Sequence, residues 1–481
     1  MELLTHWPWF ALIVTLALSF VVTIHLILFK RDSRSALAWI ALAWLAPFLG
    51  AFAYYLFGIN RMQRRARRLR QRPRKPQPPA DTSGDLPAAR VPVLSPELAH
   101  LAPLVQLGAT VTGQLLQTGN LVEPLRDGDA AYPMMLQAID EAKHTVGLCV
   151  YIFDNDDTGR LFVAALGRAV ARGVAVRVLI DDVGAHPLWN SIVTPLGEAN
   201  VPTARFLPRW IPRSFAYANL RNHRKLLIVD GRLGFTGGMN ISEGHWLAHK
   251  PAQPIHDLQF CIEGPLVAQM QSVFADDWKF AAGEELRGDI WFPTLNPHGS
   301  ILARGVSSGP DEDLEKIRLV LLGALASARS TIRIVTPYFL PDAGLISALN
   351  IAALRGVQVD ILLPSHSDHR FMQWATMAQL PQVLEYGCRV WLLPPPFYHT
   401  KLMIVDGVWT MLGSANWDPR SLRLNFEFDV ECYDRALAAT LEREIEKDLK
   451  RSERMTLAKW HRRTFVVKLR DGVARLMSPL L

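Results

Sequence analysis

The stretch HRKLLIVDGRLGFTGGMN (223–240) decides how this chain reads, because HTKLMIVDGVWTMLGSAN (399–416) repeats it 176 residues later. Both copies fit H-x-K-x4-D-x6-G-[GS]-x-N. The similarity extends outward. TVGLCVYIF (145–153) and TIRIVTPYFL (331–340) read as buried strands. Each is followed by a helix-like run and then by ARGVAVRVLID (171–181) or LRGVQVDILLP (354–364), where Arg172-Gly-Val matches Arg355-Gly-Val at an offset of 183. Strands alternating with helices of about 15 residues predict α/β units with a mixed or parallel sheet. The expectation is two homologous α/β lobes, joined near residues 290–305, that form one active site at their interface.

LLIV and LMIV are apolar enough to be buried strands, and Asp230-Gly231 and Asp406-Gly407 are residue pairs suited to two-residue hairpin turns. That register sets His223 opposite Gly238 and His399 opposite Ser414. Because side chains alternate along a strand, His223 and Lys225 share a face with Gly238 and Asn240, and His399 and Lys401 share one with Ser414 and Asn416. Each half then presents an imidazole, an ammonium and an amide across a floor of small residues that admits a bulky anion. Asp230 and Asp406 have the opposite parity and lie in the turn, so geometry alone reads them as structural.

Two such sets suit a phosphodiester. Lysines neutralise the non-bridging oxygens and amides help hold the pentacoordinate transition state. One histidine attacks phosphorus, the other protonates the leaving alkoxide, and an acceptor alcohol then reverses the geometry. The lysines and the protonated histidine supply the positive charge, so no metal or cofactor is expected. His366 and His369, in HSDH, are read as a polar active-site loop rather than a metal cluster. A histidine nucleophile needs an acceptor on its far nitrogen. Asp257 follows His223 within the first copy and Glu427 follows His399 within the second, and spacing makes them the candidates.

The duplicated H-x-K-x4-D motif resembles the phospholipase D superfamily. With IEGPLV and FADDW (262–278), TPYFLPD (336–342), GSANWDPRSLRLNFE (413–427), the apolar N-terminus and the final SPLL, the chain looks more narrowly like the bacterial cardiolipin synthases. That resemblance implies transfer of a phosphatidyl group from one phosphatidylglycerol to another through a phosphohistidine, giving cardiolipin and glycerol. The alternatives are a lipid-hydrolysing phospholipase D and a synthase with phosphatidylethanolamine as donor. The resemblance implies a catalytic set of His223, Lys225, Asp230, His399, Lys401 and Asp406, with His223 as nucleophile. Asn240, Asn416, Ser414, Asp257 and Glu427 are the supporting set, the two acids being the family's histidine-orienting groups.

At the N-terminus, Pro8–Phe29 and Ser35–Asn60 are uncharged and separated only by Lys30-Arg-Asp-Ser-Arg34, which predicts a transmembrane helical hairpin over 1–60. The chain carries a net charge of +7, but residues 61–75 hold nine basic side chains and no acid, and residues 451–481 carry +6. With +1 on residues 1–60, the remaining 76–450 are left at −9. An acidic body excludes a nucleic-acid partner. The basic flanks instead suit an anionic phospholipid membrane and place the catalytic body on the cytoplasmic side of the inner membrane. The expected organisation is a hairpin (1–60), a basic Pro-rich linker (61–95), lobes over 96–295 and 296–445, and a basic amphipathic segment (446–481). In that last segment Phe465, Leu469, Val473 and Leu476 share one helical face. Four scattered cysteines suit a reducing compartment and exclude a zinc ribbon.

Overall fold

In the computed structural model the residues described are 2–30, 33–55, 94–185, 190–207, 220–310 and 313–477. The basic, proline-rich stretch expected as a linker falls almost wholly outside them, as does SPLL. The chain forms two compact units, Met1–Gln71 and Arg72–Leu481.

In the first unit, helix Glu2–Phe29 is long and apolar enough to cross a membrane. The second uncharged stretch differs from the expected second span. It forms two shorter helices, Ser33–Leu45 and Pro47–Ala53, because Pro47 has no amide hydrogen to continue the first. The first returns along the long helix, and the second folds back on it, bringing Gly50 against Leu42 and Tyr54 against Trp39 and His25. Ser19 Oγ donates to the Ala43 carbonyl at 2.8 Å and Trp44 Nε1 to Thr23 Oγ1 at 3.1 Å.

The second unit is built on one 15-stranded sheet whose order reveals the repeat. From the centre outward, the first half runs 117–126, 258–263, 233–237, 226–229, 145–150, 175–181 and 203–206. The second half runs 301–308, 427–433, 409–413, 402–405, 331–335, 358–364 and 389–393, with 453–455 added at its edge. The two halves join antiparallel through Gln117–Arg126 and Ile301–Ser308. Within each half the inner pairs are antiparallel and the outer pairs parallel, as the α/β alternation predicts, apart from the added edge strand 453–455, which is antiparallel.

The strands are apolar on both faces because both faces are covered. Leu227 and Val229 enter an outer core with the helices Asp127–Glu141 and Asp157–Ala171. Leu226 and Ile228 enter a core shared by both halves. There they meet Met270 and Phe274 of helix Leu266–Ala282, and Leu441 and Ile445 of helix Arg435–Arg451. The same division puts Met403 and Val405 outside, and Leu402 and Ile404 in the shared core. Helix Arg435–Arg451 runs continuously through position 445, where the second lobe was expected to end.

The hairpins correct the expected register by one residue. Val229 pairs with Leu233 and Val405 with Trp409, so each loop holds three residues rather than two. Asp230 and Gly231 take φ of 52° and 61°, and Asp406 and Gly407 take 52° and 63°, which is the left-handed pair an Asp-Gly turn favours. His223 therefore does not oppose Gly238, nor His399 Ser414.

Candidate active site

The two histidine segments leave their own lobes. At the first, His223 N donates to the Phe426 carbonyl at 2.9 Å and Phe426 N to the Arg221 carbonyl at 2.8 Å. At the second, Phe397–Tyr398 pairs in parallel with Ile255–His256, and His399 N donates to the His256 carbonyl at 2.8 Å. Each incoming arm thus lies beside the start of the other lobe's acid-bearing strand.

The consequence corrects the spacing argument. His223 Nδ1 bonds Glu427 Oε2 at 3.0 Å, and His399 Nδ1 bonds Asp257 Oδ2 at 2.9 Å. Each imidazole is held by the carboxylate of the opposite repeat. Both acids are fully buried. Glu427 also accepts from Ser414 Oγ at 2.6 Å and Asn425 Nδ2 at 3.2 Å. Asp257 is fixed through its backbone amide, which donates to Asp127 Oδ1 at 3.0 Å. The Gly-Gly of the first copy has a steric reason: a Cβ on Gly238 would sit 2.6 Å from Asp257 Oδ1.

His223, His399, Asn240 and Asn416 line one cavity of about 670 Å³. The hairpin register alone would turn Asn240 away from His223. Each strand ends, however, on a glycine in a conformation other residues avoid, Gly237 at φ 155° and Gly413 at φ 156°, and alternation stops there. Asn240 Oδ1 accepts from Ile152 N at 3.2 Å, whereas the buried Asn416 Oδ1 has no partner among the described residues. Lys225 Nζ donates to the His223 carbonyl at 2.7 Å, and Lys401 Nζ to the His399 carbonyl.

Asp230 and Asp406 are elsewhere, at the far ends of the strands that begin just after the histidine arms. Asp230 accepts from His144 N and Thr145 N at 2.7 and 2.8 Å, and Asp406 from Ser330 N and Thr331 N at 2.7 and 2.9 Å. Both anchor the turn to the start of a neighbouring strand. They lie in the hairpin turns, where parity puts them, and not on the cavity with the histidines.

Burial sets the protonation states. It pushes His223 down to about 4 against the opposing pull of Glu427, so the ring is neutral near pH 7. Burial, then Lys401 and Lys225, hold His399 well below the ordinary histidine value. Lys225 is pushed down to about 7 and Lys401 to about 8, again by burial. Burial alone would raise Glu427, but His223 and Lys225 outweigh it and keep the carboxyl below its usual range. For Asp257 burial prevails over Lys401 and the carboxyl is raised. The His223 pair is therefore a neutral imidazole against an ionised carboxylate, which places the proton on Nδ1 and leaves Nε2 as a nucleophile.

Sequence reasoning missed three contributors. Arg224, between the motif's His and Lys, is buried and ties the arm to both lobes, with Nη1 2.6 Å from Asp277 and Nε 3.0 Å from the Glu427 carbonyl. The contrast of Arg224 with Thr400 at the matching position was the available signal. Tyr151 packs edge-on to His223 with centroids 4.9 Å apart. His245 lines the cavity 6.2 Å from the His399 ring, and burial pushes it down to about 3. Ligand atoms of His245, Asp257 and His399 lie within 4.8 Å of one another, a spacing that admits a metal; the direct Asp257–His399 bond already uses two of those groups. His369 and Asp368 line the same cavity, with Asp368 accepting from Tyr338 Oη at 2.7 Å.

The family model described as "Cardiolipin synthase, PLD-like domain" matches residues 135–278 and 321–449, which together contain both motifs. The chain belongs to the cardiolipin synthase family. A second model, phospholipase D-nuclease N-terminal, matches residues 17–58. The cardiolipin synthase of Oceanobacillus iheyensis is 32% identical over 97% of this chain and 98% of its own length. The major cardiolipin synthase of Bacillus subtilis is 31% identical over 97% and 99%. Among solved structures, a phosphatidylserine synthase of Haemophilus influenzae shares the fold at 15% identity and a TM-score of 0.61, over 79% of this chain and 100% of that one. Family membership agrees with the resemblance carried by the duplicated motif, and makes this chain a phosphatidyltransferase of the phospholipase D type.

Proposed function

We propose that the chain makes cardiolipin from two molecules of phosphatidylglycerol by two in-line displacements at one phosphorus. The observation that carries this reading is the crosswise pairing: two imidazoles on one cavity, each fixed at Nδ1 by a buried carboxylate of the other repeat. His223 Nε2 attacks phosphorus, forming the P–N bond while the P–O bond to the headgroup glycerol breaks. His399 donates its proton to that departing oxygen, and glycerol leaves. The hydroxyl of a second phosphatidylglycerol then gives its proton to His399 and attacks. The new P–O bond replaces P–N and frees His223.

The acid role needs a protonated His399, which burial and the two lysines disfavour. The lipid phosphate brings negative charge beside His399, Lys225 and Lys401, and so raises all three. The lysines and the Asn240 and Asn416 amides then face the equatorial oxygens, where charge accumulates. The unpartnered Asn416 Oδ1 is suited to accept a hydrogen bond from the hydroxyl of the acceptor. The anionic substrate and the basic flanks of the sequence support a body held at the cytoplasmic face of the inner membrane, with helix Glu2–Phe29 as anchor and the two shorter helices folded against it.

The test supplies labelled phosphatidylglycerol to the full-length enzyme. Cardiolipin and glycerol are expected, and phosphatidic acid as the sole product refutes the transfer. With His399→Ala and a labelled p-nitrophenyl phosphatidyl ester, whose leaving group needs no proton, the label is expected to accumulate on the protein as an acid-labile adduct, and His223→Ala to abolish that adduct. An adduct that survives in His223→Ala refutes the assignment of the nucleophile.

A further inference from the structure

The C-terminal segment forms two helices, Leu457–His461 and Phe465–Leu476. The second is amphipathic, as its sequence predicts, but it is mounted inside out. Its apolar residues point to solvent: Phe465, Val466 and Leu476 are each more than 70% exposed, and Leu469 and Val473 more than half. At about 100° per residue these side chains fill an arc of about 100°. The side turned inward carries Asp471 and Ala474, both fully buried. Asp471 is held there by Arg463 and by Arg470, the latter at 2.7 Å. Arg470 also lies 4.4 Å from the ring centroid of Trp374. A single helix seeking a place on a protein core would bury the opposite face.

The helix lies one layer from the catalytic cavity. Ala474 packs in a cluster with Tyr338 and Met372, and both of those line the cavity. Helix Arg370–Gln379, against which it rests, carries Phe371 in its first turn, half exposed and also lining the cavity. Beside the apolar arc, Arg462, Arg470 and Arg475 are exposed.

We propose that the Phe465–Leu476 helix is the surface by which the catalytic body docks on an anionic bilayer, its apolar arc inserted among the acyl chains at the rim of the cavity. The charge chooses the occupant. A second copy of this helix would bring arginine flanks against arginine flanks, whereas anionic headgroups neutralise them. Docking here lets a lipid's phosphodiester reach His223 while its acyl chains remain beside Phe371 and the helix. The inference rests on the phospholipid substrate of the proposed function and adds where that lipid enters.

The experiment uses the full chain in vesicles. All four native cysteines are buried, so Leu469→Cys takes an environment-sensitive fluorophore selectively. In vesicles of phosphatidylcholine plus phosphatidylglycerol, the label is expected to be quenched by a nitroxide on the upper acyl chain and shielded from aqueous iodide. In phosphatidylcholine alone both effects weaken. Equal iodide quenching in the two vesicles overturns the proposal, as does protection that follows protein concentration instead of lipid, which would assign the face to a second copy. In the double variant Leu469→Asp/Val473→Asp, KM for vesicle phosphatidylglycerol rises about tenfold or more, while kcat/KM on dispersed short-chain phosphatidylglycerol stays within about twofold. Equal loss on both substrates also overturns it. If the labelled site inserts but the unmodified enzyme transfers no phosphatidyl group on either substrate, the catalytic reading fails and the docking surface stands.

Discussion

Replacing Glu427 by glutamine tests the crosswise pairing at its centre. The carboxylate receives His223 Nδ1–H at 3.0 Å, Ser414 Oγ–H at 2.6 Å and Asn425 Nδ2–H at 3.2 Å. Glutamine keeps the shape and one oxygen. If that oxygen serves His223 and Ser414, the new amide NH2 faces the Asn425 NH2, donor against donor. The bond to His223 also falls from charge-assisted, about 1.5–3 kcal/mol, to neutral, about 1 kcal/mol. Phosphorylation of Nε2 builds positive charge on the ring, and a unit charge about 4 Å away is worth up to about 4 kcal/mol at an effective dielectric constant of about 20. Part of that is recovered by the amide dipole, so the barrier rises by about 2–4 kcal/mol and kcat falls about 30- to 1,000-fold. Rapid-quench measurement of adduct formation from labelled phosphatidylglycerol reads this directly, with a melting curve to show that the variant is folded. A folded variant whose adduct forms within about threefold of the unmodified rate refutes the idea that the opposite repeat's acid activates His223.

Asp257→Asn separates the two histidines: with a p-nitrophenyl phosphodiester, whose leaving group needs no proton, adduct formation is expected to fall less than about fivefold, and with phosphatidylglycerol at least about fiftyfold. Equal losses would mean that His399 is not the acid. Gly238→Ser forces a Cβ to within 2.6 Å of an Asp257 oxygen, and kcat is expected to fall about tenfold or more with little change in KM; an active Gly238→Ser enzyme refutes the steric account. Asp230→Ala removes the acceptor of the His144 and Thr145 amides, so stability drops by about 1–3 kcal/mol while kcat stays within about threefold, measured by denaturant unfolding beside the transfer assay. In the pH profile of kcat/KM, activity falls as pH drops through about 4, where His223 gains a proton, and falls again as pH rises through about 7 to 8, where Lys225 and then Lys401 lose theirs. An alkaline limb that stays flat to pH 9 would remove the lysines' charge from the mechanism.

The repeated strands were legible because LLIV and LMIV combine unbroken apolar character with an Asp-Gly stop, and the sheet needs both faces filled. Which residues converge was legible too, although for a partly mistaken reason. A ladder offset by one residue should have turned Asn240 and Asn416 away, and the conformations of Gly237 and Gly413 restored them. A sequence shows that a glycine is present, not which region of backbone space it takes. The second apolar stretch carried its own warning in Pro47, at the break between the helices. Apolar residues along 465–476 announced an amphipathic helix, but only packing shows that Asp471 and Ala474 are the face turned inward.

The exchange of acids was hidden for a deeper reason. Spacing ties Asp257 to His223 and Glu427 to His399, since each pair lies in one repeat. Short arms override that order: Arg221–His223 crosses to Phe426, and Phe397–His399 crosses to Ile255 and His256. Neither repeat therefore contains a complete imidazole–carboxylate pair. A lobe folded alone would leave its carboxylate, Asp257 or Glu427, without the histidine it serves, and its histidine without a fixed tautomer. The chemistry thus requires two repeats to meet. The exchanged pairs also bring both imidazoles to the seam between the lobes, where one phosphorus can lie between them.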